Sequence, residues 1–380
     1  VEAALVALLA ATLAACSGLP FRPPPTWGPL DGCDLSTTER SQLGERVSAG
    51  LARETAADRF RDLRAVLIDV CGVPLVERYI GSRPEDHHNV ASVTPSVVSV
   101  LAGIAIHDGL IRDVDQTLGE LLPEQRTAMS TAVGALTLRQ LLTMTAGLDV
   151  DRDDQPSSWE LTPAEVTGIL QSGIRQTPGY FGYSSASAHL VAAVVARAAG
   201  RPLLEYARER LFAPLQIVTT TAEQPVLDRG RVPAGYGDAG FAWPVDHQGV
   251  NRGDGWLRLT PHDLLMIGQL YLDNGRAGGR QVVPVEWVRA STVPQVRTNA
   301  GPYGEAYGYL WWVTTADGAP AYTAAGFGGQ LVEVVPSRQL VAVFVTELSE
   351  GQVKDGGPGV RVDARAYADL VSRVVAPNLP

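Results

Sequence analysis

Lysine is almost missing from this 380-residue chain: Lys354 is the only one, and every other basic residue is arginine. Chemistry that needs a titrating amine therefore has one candidate, far toward the C-terminus. Cationic charge is short as well, with 31 Lys and Arg against 41 Asp and Glu, a net charge of −10. That balance excludes a nucleic-acid partner, because phosphate binding needs clustered cations that release counterions. The six histidines never form His-Glu-x-x-His, so no zinc-hydrolase signature is present. Cysteine is limited to Cys16, Cys33 and Cys71. There is no internal repeat.

What is present begins with a short apolar run, Ala3–Ala15, that ends Leu13-Ala14-Ala15-Cys16-Ser17-Gly18. It is too short to span a bilayer. An apolar stretch closing in small residues before a cysteine resembles a bacterial lipoprotein signal, in which Cys16 becomes the acylated N-terminus; an ordinary signal peptide with a chance cysteine is the alternative. The chain opens Val1-Glu2 without a charged n-region, so the expectation is a start upstream or a trimmed segment. With Cys16 set aside, Cys33 and Cys71 make an even number in an exported chain and allow one disulfide. Two buried free thiols are the alternative. Residues 1–16 thus read as signal, 17–32 as a Pro-rich tether with Pro20, Pro23, Pro24, Pro25 and Pro29, and 33–380 as one large domain.

Within that domain, Ser36-x-x-Glu39 is a capping box and Leu43, Val47 and Leu51 mark one apolar helix face. Leu63–Val70 and Val73–Ile80, separated by Cys71-Gly72, predict a β-hairpin. The middle is helical. Thr137 with Gln140 opens a helix that Gly147 closes, Thr162-Pro163 with Glu165 one that Gly173 closes, and Thr260-Pro261 with Asp263 one that Gly275 closes. Ala186–Ala199 reads as a buried helix. Strands return at Tyr307–Thr314, Gln330–Val335 and Leu340–Glu347, and Val362–Val375 has the spacing of a closing helix; Glu350–Gly359 reads as a mobile loop. The fold class is therefore α/β in the α+β sense: one antiparallel sheet drawn from both chain ends, flanked by helices, with an inserted helical lobe.

Four segments bear on chemistry. Asn89-Val90-Ala91-Ser92-Val93-Thr94-Pro95-Ser96, with the apolar helix that follows, resembles the nucleophile segment of class C β-lactamases and related carboxypeptidases and esterases. That segment normally reads Ser-x-x-Lys. Leu138–Leu148 resembles the family's helix leading to the active-site rim, Gly182-Tyr183-Ser184-Ser185 stands where the family has Tyr-x-Asn, and Ala325–Gln330 stands where it often has Lys-Thr-Gly or His-Thr-Gly. The resemblance spans roughly Leu63–Leu348 and implies a β-lactamase/transpeptidase-like fold. It implies Ser92 as the nucleophile position, Tyr183 as its proton-shuttling partner, Ser185 as a substituted contact to a substrate amide, and Ala325-Gly326 as the oxyanion and substrate edge. It implies no cofactor and no metal. Its ligands would be a small acyl molecule, a peptide or a peptidoglycan-like fragment, met outside the cytoplasm by a protein whose only membrane contact is its lipid.

A serine hydroxyl needs an adjacent base to take its proton. In the family that base is the lysine one helical turn on, and here the position is Pro95, which cannot titrate. Ser185 replaces the asparagine, and Ala324-Ala325-Gly326 carries no cation. Three readings follow: a degenerate site that binds without turning over, a weak serine esterase or amidase using Tyr183 as base, and a non-enzymatic scaffold. If Ser92 caps the helix, Pro95 is its third residue, and Thr94 is pushed away from helical angles. Ser92 would then be an ordinary capping serine bonding the Thr94 N–H.

Other groupings are weaker. A Ser-His-Asp arrangement at Gly182–Ala186 would need His189 or His262. Asp86-His87-His88 could touch a metal but reads instead as a solvated loop preceding Ser92. The run Tyr307-Gly308-Tyr309-Leu310-Trp311-Trp312 reads as packing alternately on sheet and solvent, and Trp243 and Trp256 as core or cleft residues.

Overall fold

The computed structural model describes residues 35–150, 160, 162–228, 234–298, 304–348 and 363–379. Cys16, Cys33, the tether and the Glu350–Gly359 loop lie outside them. Helix α1 (Thr37–Thr55) opens with the expected Ser36/Glu39 capping box and buries Leu43, Val47 and Leu51. The hairpin follows as β1 (Leu63–Val70) and β2 (Val73–Tyr79), turning through Cys71 and Gly72, both at positive φ. A two-residue turn with left-handed angles matches the twist of its strands. α1 lies against β2 because Gly44 has no side chain: a Cβ there would stand 2.8 Å from the Leu75 carbonyl oxygen.

Short strand β3 (His88–Asn89) leads to α2 (Thr94–His107), whose first twelve residues are all buried. Then come α3 (Leu138–Leu142), α4 (Glu165–Gln171) and α5 (Ser185–Ala199), the last closed by Gly200 in the left-handed region. α3 starts on the Thr137/Gln140 capping box but ends at Leu142, not near Gly147, because Met144 turns to φ 57. α4 begins at Glu165, so Thr162 is not its cap. After β4 (Arg258–Leu259), α6 (Pro261–Leu272) has the expected Thr260/Asp263 box, and a small hairpin pairs β5 (Arg276–Ala277) with β6 (Arg280–Gln281).

The remaining strands are β7 (Val296–Arg297), β8 (Ala306–Tyr307), β9 (Trp312–Ala316), β10 (Ala319–Gly326), β11 (Gln330–Val335) and β12 (Leu340–Thr346), followed by α7 (Ala364–Leu370). Eight of the twelve form one sheet in the order β2-β1-β12-β11-β10-β9-β8-β7. β1 pairs antiparallel with β12, so the two chain ends complete the sheet together. α6 packs on one face through Gly268 against Val341 and Val332, while Tyr367 of α7 meets Phe344 on the other. Two details depart from the sequence reading. The strand expected over Tyr307–Thr314 is broken at Leu310 (φ 59) into β8 and β9, and β10 runs eight residues where only its end was anticipated. No helix among the described residues is long and apolar enough to cross a membrane.

Candidate active site

Ser92 sits on a turn whose backbone is held on every side. β3 pairs with β4 (His88 with Leu259, Asn89 with Arg258), and the Val90 N–H extends that ladder to the Leu257 carbonyl at 2.9 Å. Ala91 then takes φ 46, uncommon for a residue with a side chain. Its N–H donates to Asn89 Oδ1 at 2.9 Å, and its carbonyl accepts from the Thr94 hydroxyl at 2.7 Å. Ser92 follows at φ −75, ψ 15, in the sparsely populated bridge region where many active-site residues lie.

α2 starts at Thr94 with Val93 in the cap position and no side chain capping it. The capping-serine alternative is therefore not what the fold adopts: Ser92 lies on the preceding 3₁₀ turn, Ala91–Val93. Pro95 is the second residue of α2, one earlier than anticipated, and is buried. Thr94 keeps helical angles (φ −52, ψ −46) despite the proline, so the anticipated displacement there is absent. A first-turn N–H has no intrahelical partner to lose, which is why the ring fits. Two serines then fasten α2: Ser96 Oγ donates to the Leu310 carbonyl at 2.7 Å and Ser99 Oγ to that of Tyr309 at 2.6 Å.

Tyr183 lies on the segment between α3 and α5 and packs as a second wall. The segment after α3 turns at Met144 (φ 57) and Gly147 (φ 69) and holds the approach to Tyr183 by backbone bonds, Gly179 N–H to Thr145 O and Gly182 N–H to Met144 O, each 2.9 Å. The Tyr183 ring stacks on Trp312 at 6.0 Å and 7° and meets Tyr307 edge-on at 6.5 Å. Phe181 joins the same group, 5.3 Å from Tyr307 and 5.8 Å from Trp312. Tyr307, Tyr309, Leu310, Trp311 and Trp312 are all buried, so the aromatic run does not alternate with solvent. Its two ends, Tyr307 and Trp312, form the bed of Tyr183. Burial, with a smaller contribution from neighbouring Tyr183, pushes the Tyr307 hydroxyl well above its ordinary value. Ser184 caps α5 by accepting from the Ser187 N–H, and Ser185 is the helix's first residue, half-buried.

β10 joins the two walls. A Cβ on Gly326 would stand 2.6 Å from the Val90 carbonyl oxygen and 3.1 Å from the Ser92 nitrogen, so only glycine lets the strand pass the Ser92 turn. Three residues back, Thr323 pairs with Trp312, on which Tyr183 stacks. Ala324 and Ala325 are buried and uncharged. Ser92, Gly326 and Tyr183 are thus tied together through one strand, and the three altered positions, Pro95, Ser185 and Ala324–Ala325, sit on the elements that carry them.

The other groupings prove structural. His189 is fully buried, its Nε2 3.0 Å from Asp246 Oδ2 and its Nδ1 accepting from the Gly253 N–H. With Ser184 spent on the α5 cap, no Ser-His-Asp arrangement forms there. His262, on the first turn of α6, is held below its ordinary value by burial. The expected solvated loop is corrected: His88 is a buried residue of β3, 3.1 Å from the Ser82 hydroxyl, and burial brings it down to about 4. No metal-binding cluster occurs among the described residues. Trp243 belongs to the core, donating to the Arg252 carbonyl at 2.7 Å, while Trp256 packs in a small cluster with Tyr236 and Leu227.

Sequence reading missed two features. Asn89 was noted only as a motif letter. Arg252, Asp254 and Glu160 form a buried ion cluster, with Arg252 bonding Asp254 at 2.8 Å and Glu160 at 2.5 Å. The adjacent Gly253 passes α5 so closely that a Cβ there would stand 2.4 Å from the Ala188 carbonyl oxygen. Gly253-Asp254-Gly255 was the available signal, since paired glycines mark close backbone approach.

Residues 50–366 match the protein family described as Beta-lactamase. The chain is similar to the 6-aminohexanoate-dimer hydrolase of Paenarthrobacter ureafaciens, 28% identical over 312 residues, covering 75% of this chain and 70% of that one. Among solved structures, a class C β-lactamase from Rhodobacter sphaeroides superimposes with a TM-score of 0.60 at 18% identity, covering 88% of this chain and all of the other. A penicillin-binding protein homologue from Caulobacter crescentus gives 0.61 at 20% identity, with 86% and 97% covered.

Proposed function

The chain belongs to the beta-lactamase family of serine hydrolases, and from that premise we propose that it is a member with a degenerate active site, which binds an acyl or peptide-like ligand with turnover lost or strongly reduced. The observation that carries this reading is Pro95 on the first turn of α2, which the resemblance to the family's Ser-x-x-Lys segment aligns with the lysine. No protonation state of proline accepts the serine proton. General-base assistance contributes about 10²–10⁴-fold, so its removal leaves at most a slow reaction. Ser185 and the uncharged end of β10 extend the loss from proton transfer to substrate contacts. The backbone of the Ser92 turn and the strand beside it remain in register, which favours retained binding in the cleft. Ligands of the same kind as the family's, small acyl compounds, peptides or peptidoglycan fragments, fit that reading.

One observation favours a second reading, slow ester or amide hydrolysis with Tyr183 as base. The Ser92 hydroxyl is not taken up as the cap of α2, and Tyr183 is fixed by its stack on Trp312. The two readings separate by mass spectrometry. The chain is incubated with a fluorophosphonate or a labelled penicillin, alongside P95K. The degenerate reading expects no adduct on Ser92 within hours in the native chain and an adduct in P95K. Rapid labelling of the native chain, abolished by Tyr183→Phe, would establish the second. A ligand-induced rise in Tm without turnover distinguishes binding from a pure scaffold role.

We also propose that Cys16 carries the lipid that holds the domain outside the cytoplasmic membrane, and that Cys33 pairs with Cys71. Metabolic labelling with a fatty acid, lost in Cys16→Ala, tests the first. A two-dalton mass increase on reduction of the purified domain tests the second.

A further inference from the structure

We propose that Asn89 is the positioning residue for Ser92: its carboxamide oxygen clamps the Ala91 N–H and thereby holds Ala91 at the positive φ that aims the Ser92 backbone at β10. The proposal rests on the reading of Ser92 as the nucleophile position. Ala91 is the hinge between β3 and the 3₁₀ turn. A side-chain-bearing residue disfavours φ 46, so the turn relaxes toward ordinary angles unless something fixes the peptides on both sides of that Cα. The peptide before it is fixed by Asn89 Oδ1 at 2.9 Å, and the peptide after it, which contains the Ser92 N–H, by the Thr94 hydroxyl on the Ala91 carbonyl at 2.7 Å.

Asn89 is suited to this because it is itself immobile. It is buried, and its backbone is paired with Arg258 in β4. The clamp has little room for error: Gly326 runs so close to Val90 O and Ser92 N that even a methyl group at 326 would collide. Letting Ala91 leave the left-handed region rotates the Ser92 peptide relative to that strand. A misplacement of about 1 Å at a reacting group costs on the order of a hundredfold in rate. The clamp is independent of Pro95, which lies beyond the hinge on α2, so the aim of Ser92 survives the loss of the base.

The test uses the full domain with two readouts. In the P95K background, the rate constant of fluorophosphonate addition to Ser92 is expected to fall about tenfold in Asn89→Ala, with the probe's half-saturating concentration unchanged. Asn89→Asp, which keeps an accepting oxygen, restores it, and so does the double variant Asn89→Ala with Ala91→Gly, because glycine adopts φ 46 unaided. In the native background, hydrogen exchange of the Ala91 amide accelerates in Asn89→Ala and returns in Asn89→Asp. Labelling that is unchanged in Asn89→Ala, or not recovered by the added Ala91→Gly in a protein of undiminished Tm, overturns the proposal. If P95K leaves Ser92 unlabelled, the nucleophile reading is what fails; unaltered Ala91 exchange in Asn89→Ala then overturns the clamp, and accelerated exchange supports it.

Discussion

The wall that holds Tyr183 and the turn that holds Ser92, linked through β10, are built by different forces. Tyr183 rests on Trp312 and Tyr307, residues that also fill the core, so its position is a by-product of burying aromatic surface. Ser92 rests on a turn flanked by the buried Val90 and Val93, but the angles of that turn depend on directed bonds from Asn89, Thr94 and Leu257. Trp312 and Tyr307 stay buried whether or not the site works, because they are part of the core. The positive φ of the turn has no such reason: Ala91 stays in the left-handed region, a conformation that costs of order 1–3 kcal/mol when nothing compensates it. Pro95 lies just beyond that turn. On the proposed reading, a proline in place of the family's lysine removes a proton acceptor from α2 while the bonds that hold the Ser92 turn are made, so fold, frame and chemistry become three separable properties.

The contrast can be broken most forcefully at the wall. Trp312→Ala deletes the ring under Tyr183 and opens a cavity beside Tyr307, and is expected to destabilise the domain by about 3–5 kcal/mol. Chemical denaturation of the variant measures it, and a loss below 1 kcal/mol would show that the wall is not part of the core. Gly326→Ala attacks the frame instead. Overpacking of this kind costs about 1–3 kcal/mol, and in P95K it should abolish Ser92 labelling while the protein remains folded. Retained labelling would mean that β10 does not set the approach to Ser92.

The interior of the sheet supplies a charged counterpart to both. Glu333 on β11 is fully buried, its Oε2 without a hydrogen-bond partner among the described residues, and burial alone raises its carboxyl to about 8. Its folded value lies above the unfolded one, so its protonated form favours the folded state. Stability is unaffected below about pH 4, falls as pH rises from there toward 8, and levels off above. Glu333→Gln should therefore match the native Tm near pH 4 and exceed it at pH 9. Equal curves at both pH values would place a compensating partner beside Glu333. The smallest effect belongs to Ala91→Gly, where relief of the left-handed conformation is offset by the greater freedom of glycine in the unfolded chain. A change within about 1 kcal/mol is expected from equilibrium unfolding.

Much of the fold was legible because its elements carry their own punctuation. The Ser36/Glu39 and Thr260/Asp263 boxes fix helix starts, and Cys71-Gly72 fixes the hairpin. Where local signals misled, tertiary contacts had won. Gly147 looked like a helix stop, yet α3 ends earlier because Met144 turns to offer its carbonyl to Gly182. The run Tyr307–Trp312 has strand composition, but Leu310 leaves the strand to bond Leu142 and receive Ser96. All but the end of β10 escaped notice because Ala319–Gly326 has few β-branched residues; packing of Tyr322 on Tyr271 of α6 and pairing on both sides make it a strand. At the candidate site, motif order names Ser92, Pro95, Tyr183 and Gly326 as the residues to examine. Asn89 and the Arg252 cluster were not, since their roles come from contacts between segments that the sequence does not place together.

The most direct test of the separation between frame and chemistry is the mass of Ser92 after timed exposure to a fluorophosphonate, in the native chain and in P95K. Restoring a base to an intact frame should raise the labelling rate constant at least ~100-fold over the native chain, within the range that general-base assistance supplies. Equal rates in the two proteins would contradict it, showing either that the native site already has its base or that the Ser92 frame is no longer competent.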